Sequence, residues 1–229
     1  MNDERGTRNA TEEPRTKNQE RMSFLQHWRS FSVHPVIRPL TEWRIYAQWV
    51  MSGRPIPAPP IVKQHILKQY QARFRLQTLV ETGTSSGETV EALRGRTARI
   101  ISIELAPAIH AAAVRRFTGA DNVRLLQGDS TTLLPEVLQG LQGPALFWLD
   151  GHYAGSGTAG VGRSPLLHEV QALLARPPGG DVVLIDDARQ LTGTGGYPAL
   201  DELRAAIRHN RPHAEVTVED DIIRWIDWR

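Results

Sequence analysis

The stretch Thr78-Leu79-Val80-Glu81-Thr82-Gly83-Thr84-Ser85-Ser86-Gly87-Glu88 decides the fold. A short β-branched run leads directly into two glycines four residues apart and then into a helix-forming segment. Glycines allow a tight turn and a close backbone approach, and the N-terminus of the following helix offers unpaired N–H groups. Strand, ligand-facing loop and helix are therefore expected in succession. Working outward, the same alternation repeats: strand-like runs TLVET (78–82), RIISIEL (99–105), VRLLQGD (123–129), ALFWLD (145–150) and DVVLIDD (181–187) are separated by helical stretches near 88–95, 107–117, 131–140, 165–176 and 198–209. Strand–helix alternation of this kind specifies a parallel sheet covered on both faces. The end departs from it. AEVTVED and IIRWIDW are joined only by a tight acidic turn around Asp220 and Asp221, which predicts an antiparallel hairpin at the sheet edge.

The fold class is thus α/β, a Rossmann-like, doubly wound and mostly parallel sheet with a C-terminal antiparallel hairpin, plus an N-terminal helical extension. Three parts follow. Residues 1–22 carry mixed charge and almost nothing apolar, the composition of a disordered tail and not of a signal peptide. Residues 23–76 form a helical, aromatic cover or lid. In TEWRIYAQWVMSG, Thr41 is the expected N-cap, Gly53 the stop, and Trp43, Tyr46, Ala47 and Val50 the apolar stripe. After the stiff RPIPAPP connector, Pro60 opens a second helix with Val62, Ile66, Tyr70 and Phe74 at i,i+4 spacing. Residues 77–229 form the ligand-binding domain.

Composition excludes several chemistries. The 229 residues contain no cysteine, which removes thiol nucleophiles, Cys-ligated metal centres and a disulfide framework. Lysine and arginine together number 27 against 25 acidic residues, a balance that argues against a nucleic-acid partner. No apolar run approaches the roughly 18 residues of a membrane span, so no stable membrane insertion is expected and the expected location is cytoplasmic.

The chemistry concentrates at strand ends. The loop spacing is G-x-x-x-G, with Ser85 where the dinucleotide fingerprint G-x-G-x-x-G requires glycine. Glu81 beside the loop suits a cationic partner better than a phosphate. Glu104 ends the second strand about twenty residues on, where an acid can take both ribose hydroxyls. Gly128-Asp129-Ser130 ends the third strand, Asp150 the fourth, and Asp186-Asp187 the fifth. Asp129 can equally cap the helix that follows. His152 is the best-placed general base, with Tyr153 beside it to orient an acceptor, and Gly155-Ser156-Gly157-Thr158-Ala159-Gly160 is a small-residue loop.

The set VETGTSSGE, IISIEL, LQGDS and FWLDGHY, with the trailing hairpin, resembles the class I S-adenosylmethionine-dependent methyltransferases over residues 77–229. The resemblance implies that Glu81, Gly83, Thr84, Ser85 and Gly87 surround the methionine part of S-adenosyl-L-methionine, that Glu104 and Leu105 take the ribose, and that Asp129 and Ser130 take the adenine, with Asp150 on the same rim. A narrower resemblance, to the catechol-type magnesium-dependent O-methyltransferases, implies that Asp150, Asp186 and Asp187 ligate Mg2+. Catalysis would then rest on Asp150, His152 and Tyr153. The acceptor implied is a small-molecule or saccharide hydroxyl, and a homodimer is compatible with the reading. A base N-methyltransferase is disfavoured, because Asp150-Gly151-His152-Tyr153 stands where such enzymes carry Asn/Asp-Pro-Pro-aromatic. A nicotinamide-dependent oxidoreductase and a catalytically silent S-adenosylmethionine-binding module are the alternatives.

Overall fold

The computed structural model describes residues 38–151 and 164–227. The chain divides into two compact units, 1–44 and 45–229. Of the first, only residues 38–44 are described, and they open helix α1 (Arg38–Met51). The elements that follow are α2 (Pro60–Phe74), β1 (Thr78–Thr82), α3 (Glu88–Leu93), β2 (Arg99–Glu104), α4 (Pro107–Arg116), β3 (Val123–Gln127) and α5 (Ser130–Gln139). They continue with β4 (Leu146–Leu149), α6 (Leu166–Ala175), β5 (Val182–Ile185), α7 (Leu200–Asn210), β6 (Glu215–Glu219) and β7 (Ile222–Ile226). Each expected strand and helix of residues 78–226 is present within a few residues of its predicted bounds.

The seven strands form one sheet in the order β3-β2-β1-β4-β5-β7-β6. The first five are parallel, and β7 runs antiparallel to both β5 and β6. Strand alternation sends successive side chains to opposite faces, and here both faces are apolar. Phe147 and Leu149 join Val80, Ile103, Val183 and Ile185 beneath α5, α6 and α7. Leu146 and Trp148 join Leu79, Ile100 and Leu184 against α2, α3 and the second half of α1. Burial on both faces explains why β4 and β5 read as unbroken apolar runs, LFWL and VVLI.

The N-terminal helices depart from expectation in detail. Helix α1 already begins at Arg38, so Thr41 lies inside the helix and is not its N-cap residue. Trp43 and Val50 are exposed, and the buried aromatic of α1 is Trp49. Its indole N–H donates to the carbonyl of Pro55 (2.9 Å), and Tyr46 packs against both Trp49 and His65. The connector after α1 supplies that carbonyl, and a buried indole N–H needs one, so the Tyr46/Trp49 edge turns inward. In α2, Val62 and Ile66 are buried as the stripe requires, while Tyr70 and Phe74 are half-buried and stacked on each other. The aromatic segment from Tyr46 onward shares the core that lies against the sheet.

A half-buried cation braces the opposite end of the sheet. Arg176 donates to Asp181 Oδ2 (2.9 Å) and to the carbonyl of Leu141 (3.1 Å), while Asp181 Oδ1 accepts from the backbone N–H of Ala145 (2.9 Å). The start of β4 is thereby tied to the end of α6.

Candidate functional site: the C-terminal rim of the sheet

Register places the predicted residues side by side. Ile103, Thr82, Leu149 and Ile185 lie in one row across β2, β1, β4 and β5. The next row is therefore Glu104, Gly83, Asp150 and Asp186. The ladder continues into that row, since Gly83, Asp150 and Asp186 donate their backbone N–H groups to Ile103, Thr82 and Leu149 at 2.9–3.0 Å. This is the crevice outside the carboxyl ends of the strands, where open α/β sheets bind ligands.

Glycine is required twice in the first loop. Gly83 has φ +90°, and a Cβ there would lie 2.6 Å from the carbonyl oxygen of Asp150 and 3.0 Å from its carbon. Gly87 has φ +76°, and its Cβ would enter the ring of Phe117 at 2.5 Å. Ser85, between them, is also left-handed, at φ +50°. Its N–H donates to Glu104 Oε2 (2.9 Å), and Glu104 Oε1 accepts from the N–H of Ala106 (2.9 Å). The buried Glu104 carboxylate thus straps the first loop to the second. A carboxylate has about four lone-pair sites, so two remain for a pair of hydroxyls. Leu105 is half-buried beside it.

Beneath the loop lies a chain of hydroxyls ending on a carboxyl. Thr84 Oγ1 bonds Ser102 Oγ (2.7 Å), and Ser102 donates to Glu81 Oε2 (2.5 Å). Glu81 is fully enclosed. Burial pushes its pKa up to about 8, against the pull of hydrogen bonds from Ser102 and Thr89, and the charges of Asp150 and Glu104 push in the same direction as burial. At neutral pH the carboxyl is predominantly protonated.

At the third strand end, Gly128 (φ +150°) would bring a Cβ within 2.8 Å of Leu133. Asp129 is the N-cap of α5, its Oδ1 accepting from Thr131 N–H and Oγ1 (2.8 Å each), and Ser130 opens the helix. The capping role weighed for Asp129 is therefore present. Asp129→Ala is expected to lower the unfolding free energy by about 1 kcal/mol and Asp129→Asn by much less, read by urea unfolding.

The metal expectation does not match what the rim builds. Asp186 Oδ1 accepts from the N–H of Asp187 (2.9 Å), and Asp186 Oδ2 holds the ammonium of Lys63. Asp187 Oδ1 accepts from Arg189 Nη1 (2.7 Å) and Oδ2 from Gln190 Nε2 (2.8 Å). Arg189 also pairs with Asp221, in the β6–β7 turn. Among the described residues no group of three His, Asp or Glu side chains is placed to share one cation. Asp150, Asp186 and Asp187 as described do not fit a divalent ion, because the last two are already compensated. Sequence reasoning missed Lys63. One signal was available: it is one of only three lysines in an arginine-rich chain, and it flanks the apolar stripe of α2. His152, Tyr153 and the loop 155–160 lie outside the described residues.

No family model matches the chain, and no curated protein matches it by sequence. Solved structures do resemble it. The S-adenosylhomocysteine-bound methyltransferase PaMTH1 of Podospora anserina superposes at TM-score 0.56 with 18% identity, over 96% of this chain and 100% of that one. An O-methyltransferase of Bacillus cereus in complex with S-adenosylhomocysteine gives 0.56 at 15% identity, over 82% and 90% of the two chains. TomG of Streptomyces achromogenes, an O-methyltransferase involved in tomaymycin synthesis and solved with S-adenosylmethionine, gives 0.52 at 15%, over 92% and 98%. The chain has the fold of the class I S-adenosylmethionine-dependent methyltransferases. Among the described residues no helix is long and apolar enough to cross a membrane.

Proposed function

We propose that this chain is an S-adenosylmethionine-dependent methyltransferase that methylates a hydroxyl of a small-molecule or saccharide acceptor. The observation that carries the cofactor assignment is the strand order. A dinucleotide-binding sheet runs 3-2-1-4-5-6 with all strands parallel, whereas here antiparallel β7 lies beside β5 and pushes β6 to the edge. The glycine loop agrees with it, since Ser85 stands where the dinucleotide spacing requires glycine.

The cofactor supplies an activated methyl group on a sulfonium. The chain's residues do the rest. Glu104 receives the ribose hydroxyls, the 83–87 loop holds the methionine part above Glu81, and Asp129 with Ser130 faces the adenine. His152 takes the acceptor's proton, with Asp150 and Tyr153 orienting the acceptor. Oxygen as the methylated atom is supported by the two O-methyltransferases that share the fold and by a cysteine-free chain, in which no thiol intermediate is available.

Calorimetric titration with S-adenosylhomocysteine and, separately, with NAD tests the assignment. Saturable binding of S-adenosylhomocysteine with no response to NAD is expected. Tight NAD binding with silence toward S-adenosylhomocysteine would sink it.

A further inference from the structure

Lys63 lies in the first turn of α2, next to the fully buried Val62. Its ammonium crosses to the end of β5, where it bonds Asp186 Oδ2 and stands 3.7 Å from Asp187 Oδ1. The Asp186 side chain is 2% exposed and that of Lys63 20%. Two consecutive carboxylates this deep need a compensating cation. A chain can recruit a divalent ion for that purpose or supply the charge itself. Here Lys63 and Arg189 supply it, and every oxygen of the two carboxylates accepts from a protein donor: the N–H of Asp187, Lys63, Arg189 and Gln190.

We propose that the Lys63 ammonium is a built-in cation that keeps a divalent metal out of the β4–β5 rim, so that methyl transfer by this chain needs no metal. The second half rests on the methyltransferase reading; the exclusion of the metal does not. An ammonium carries one charge and three donors on a flexible stem. It compensates Asp186 and Asp187, but it cannot clasp two vicinal oxygens of an acceptor as a hard divalent ion does. An acceptor for this rim is therefore not selected by a pair of neighbouring hydroxyls.

Mn2+, followed by electron paramagnetic resonance of the free ion, is the probe. The quantity read is the Mn2+ taken up by the full chain minus that taken up by its Asp186→Asn variant, which cancels any uptake elsewhere. The expected difference is nil for the unmodified protein. For Lys63→Met, compared with the same variant also carrying Asp186→Asn, the expected difference is one equivalent. An Asp186-dependent equivalent in the unmodified protein overturns the proposal, and so does its absence from a Lys63→Met protein that melts cooperatively. Should Lys63→Met not fold, the unmodified protein alone decides. Binding of S-adenosylhomocysteine is measured separately. Its failure would remove the methyltransferase reading and leave the Mn2+ result standing on its own.

Discussion

Gly83→Ala is expected to abolish measurable S-adenosylhomocysteine binding and to cost the fold about 2–4 kcal/mol. The added methyl would lie 2.6 Å from the Asp150 carbonyl oxygen and 3.0 Å from the carbonyl carbon. Both are backbone atoms of a row whose N–H groups are committed to the sheet ladder, so neither can step aside as a side chain would. The φ of +90° adds strain for any residue with a Cβ. The loop must then lift away from β4, taking with it the Ser85 N–H that bonds Glu104. Gly95 provides the control, because a Cβ there meets nothing within 4 Å. Gly95→Ala should bind as the unmodified chain does. If Gly83→Ala also bound normally, the loop would not be the cofactor cradle.

Glu81→Gln should change how stability responds to pH. The folded carboxyl titrates at about 8, against an ordinary value of 4.5. Between those values the folded state holds a proton that the unfolded chain has released. By linkage the unfolding free energy therefore falls as pH rises through this window, by up to about 1.4 kcal/mol per pH unit, and this contribution is fully present only below the unfolded value. Glutamine keeps the shape and does not titrate. The two proteins should be of similar stability near the acid end, and by pH 8 the variant should be the more stable, by on the order of 4 kcal/mol. Urea unfolding across the range reads it, and parallel curves would show that Glu81 does not carry the shifted titration. The same proton bears on ligand affinity. A cationic ligand above Glu81 favours the ionised carboxyl, so S-adenosylhomocysteine, with its ammonium, should bind more tightly as pH rises toward 8 and should release a proton on binding near neutrality. Calorimetry in buffers of unlike ionisation heat detects the release, which Glu81→Gln should abolish.

The sheet was legible because its information is local. Each run such as RIISIEL or DVVLIDD is β-branched, bounded by turn or helix-starting residues, and long enough to cross a sheet once. Parallel pairing then brings the strand ends into one row whatever the helices do, so the placement of Gly83, Glu104, Asp150 and Asp186 followed from the alternation alone. The inward edge of α1 was not legible. Trp43 and Trp49 both lie on that helix, and what selects Trp49 is the carbonyl of Pro55 in the connector that follows. The charge state of the rim was likewise hidden. Asp186 and Asp187 announce themselves as carboxylates at a strand end, but the ammonium that answers them comes from 123 residues earlier in the chain, and nothing local to either segment records the pairing.

The position of β7 also bears on the order in which this molecule is built. It follows every other described strand in sequence, yet it lies between β5 and β6. While the chain emerges from a ribosome, β5 has β4 on one side and an open backbone edge on the other until residues 222–226 arrive. An unpaired apolar edge of this kind invites pairing with another nascent chain. The closing ion pair also waits for the same turn, because Asp221, which holds Arg189 beside Asp187, precedes β7 by one residue. The rim that gathers Asp186, Asp187 and Lys63 is therefore completed only when the hairpin docks.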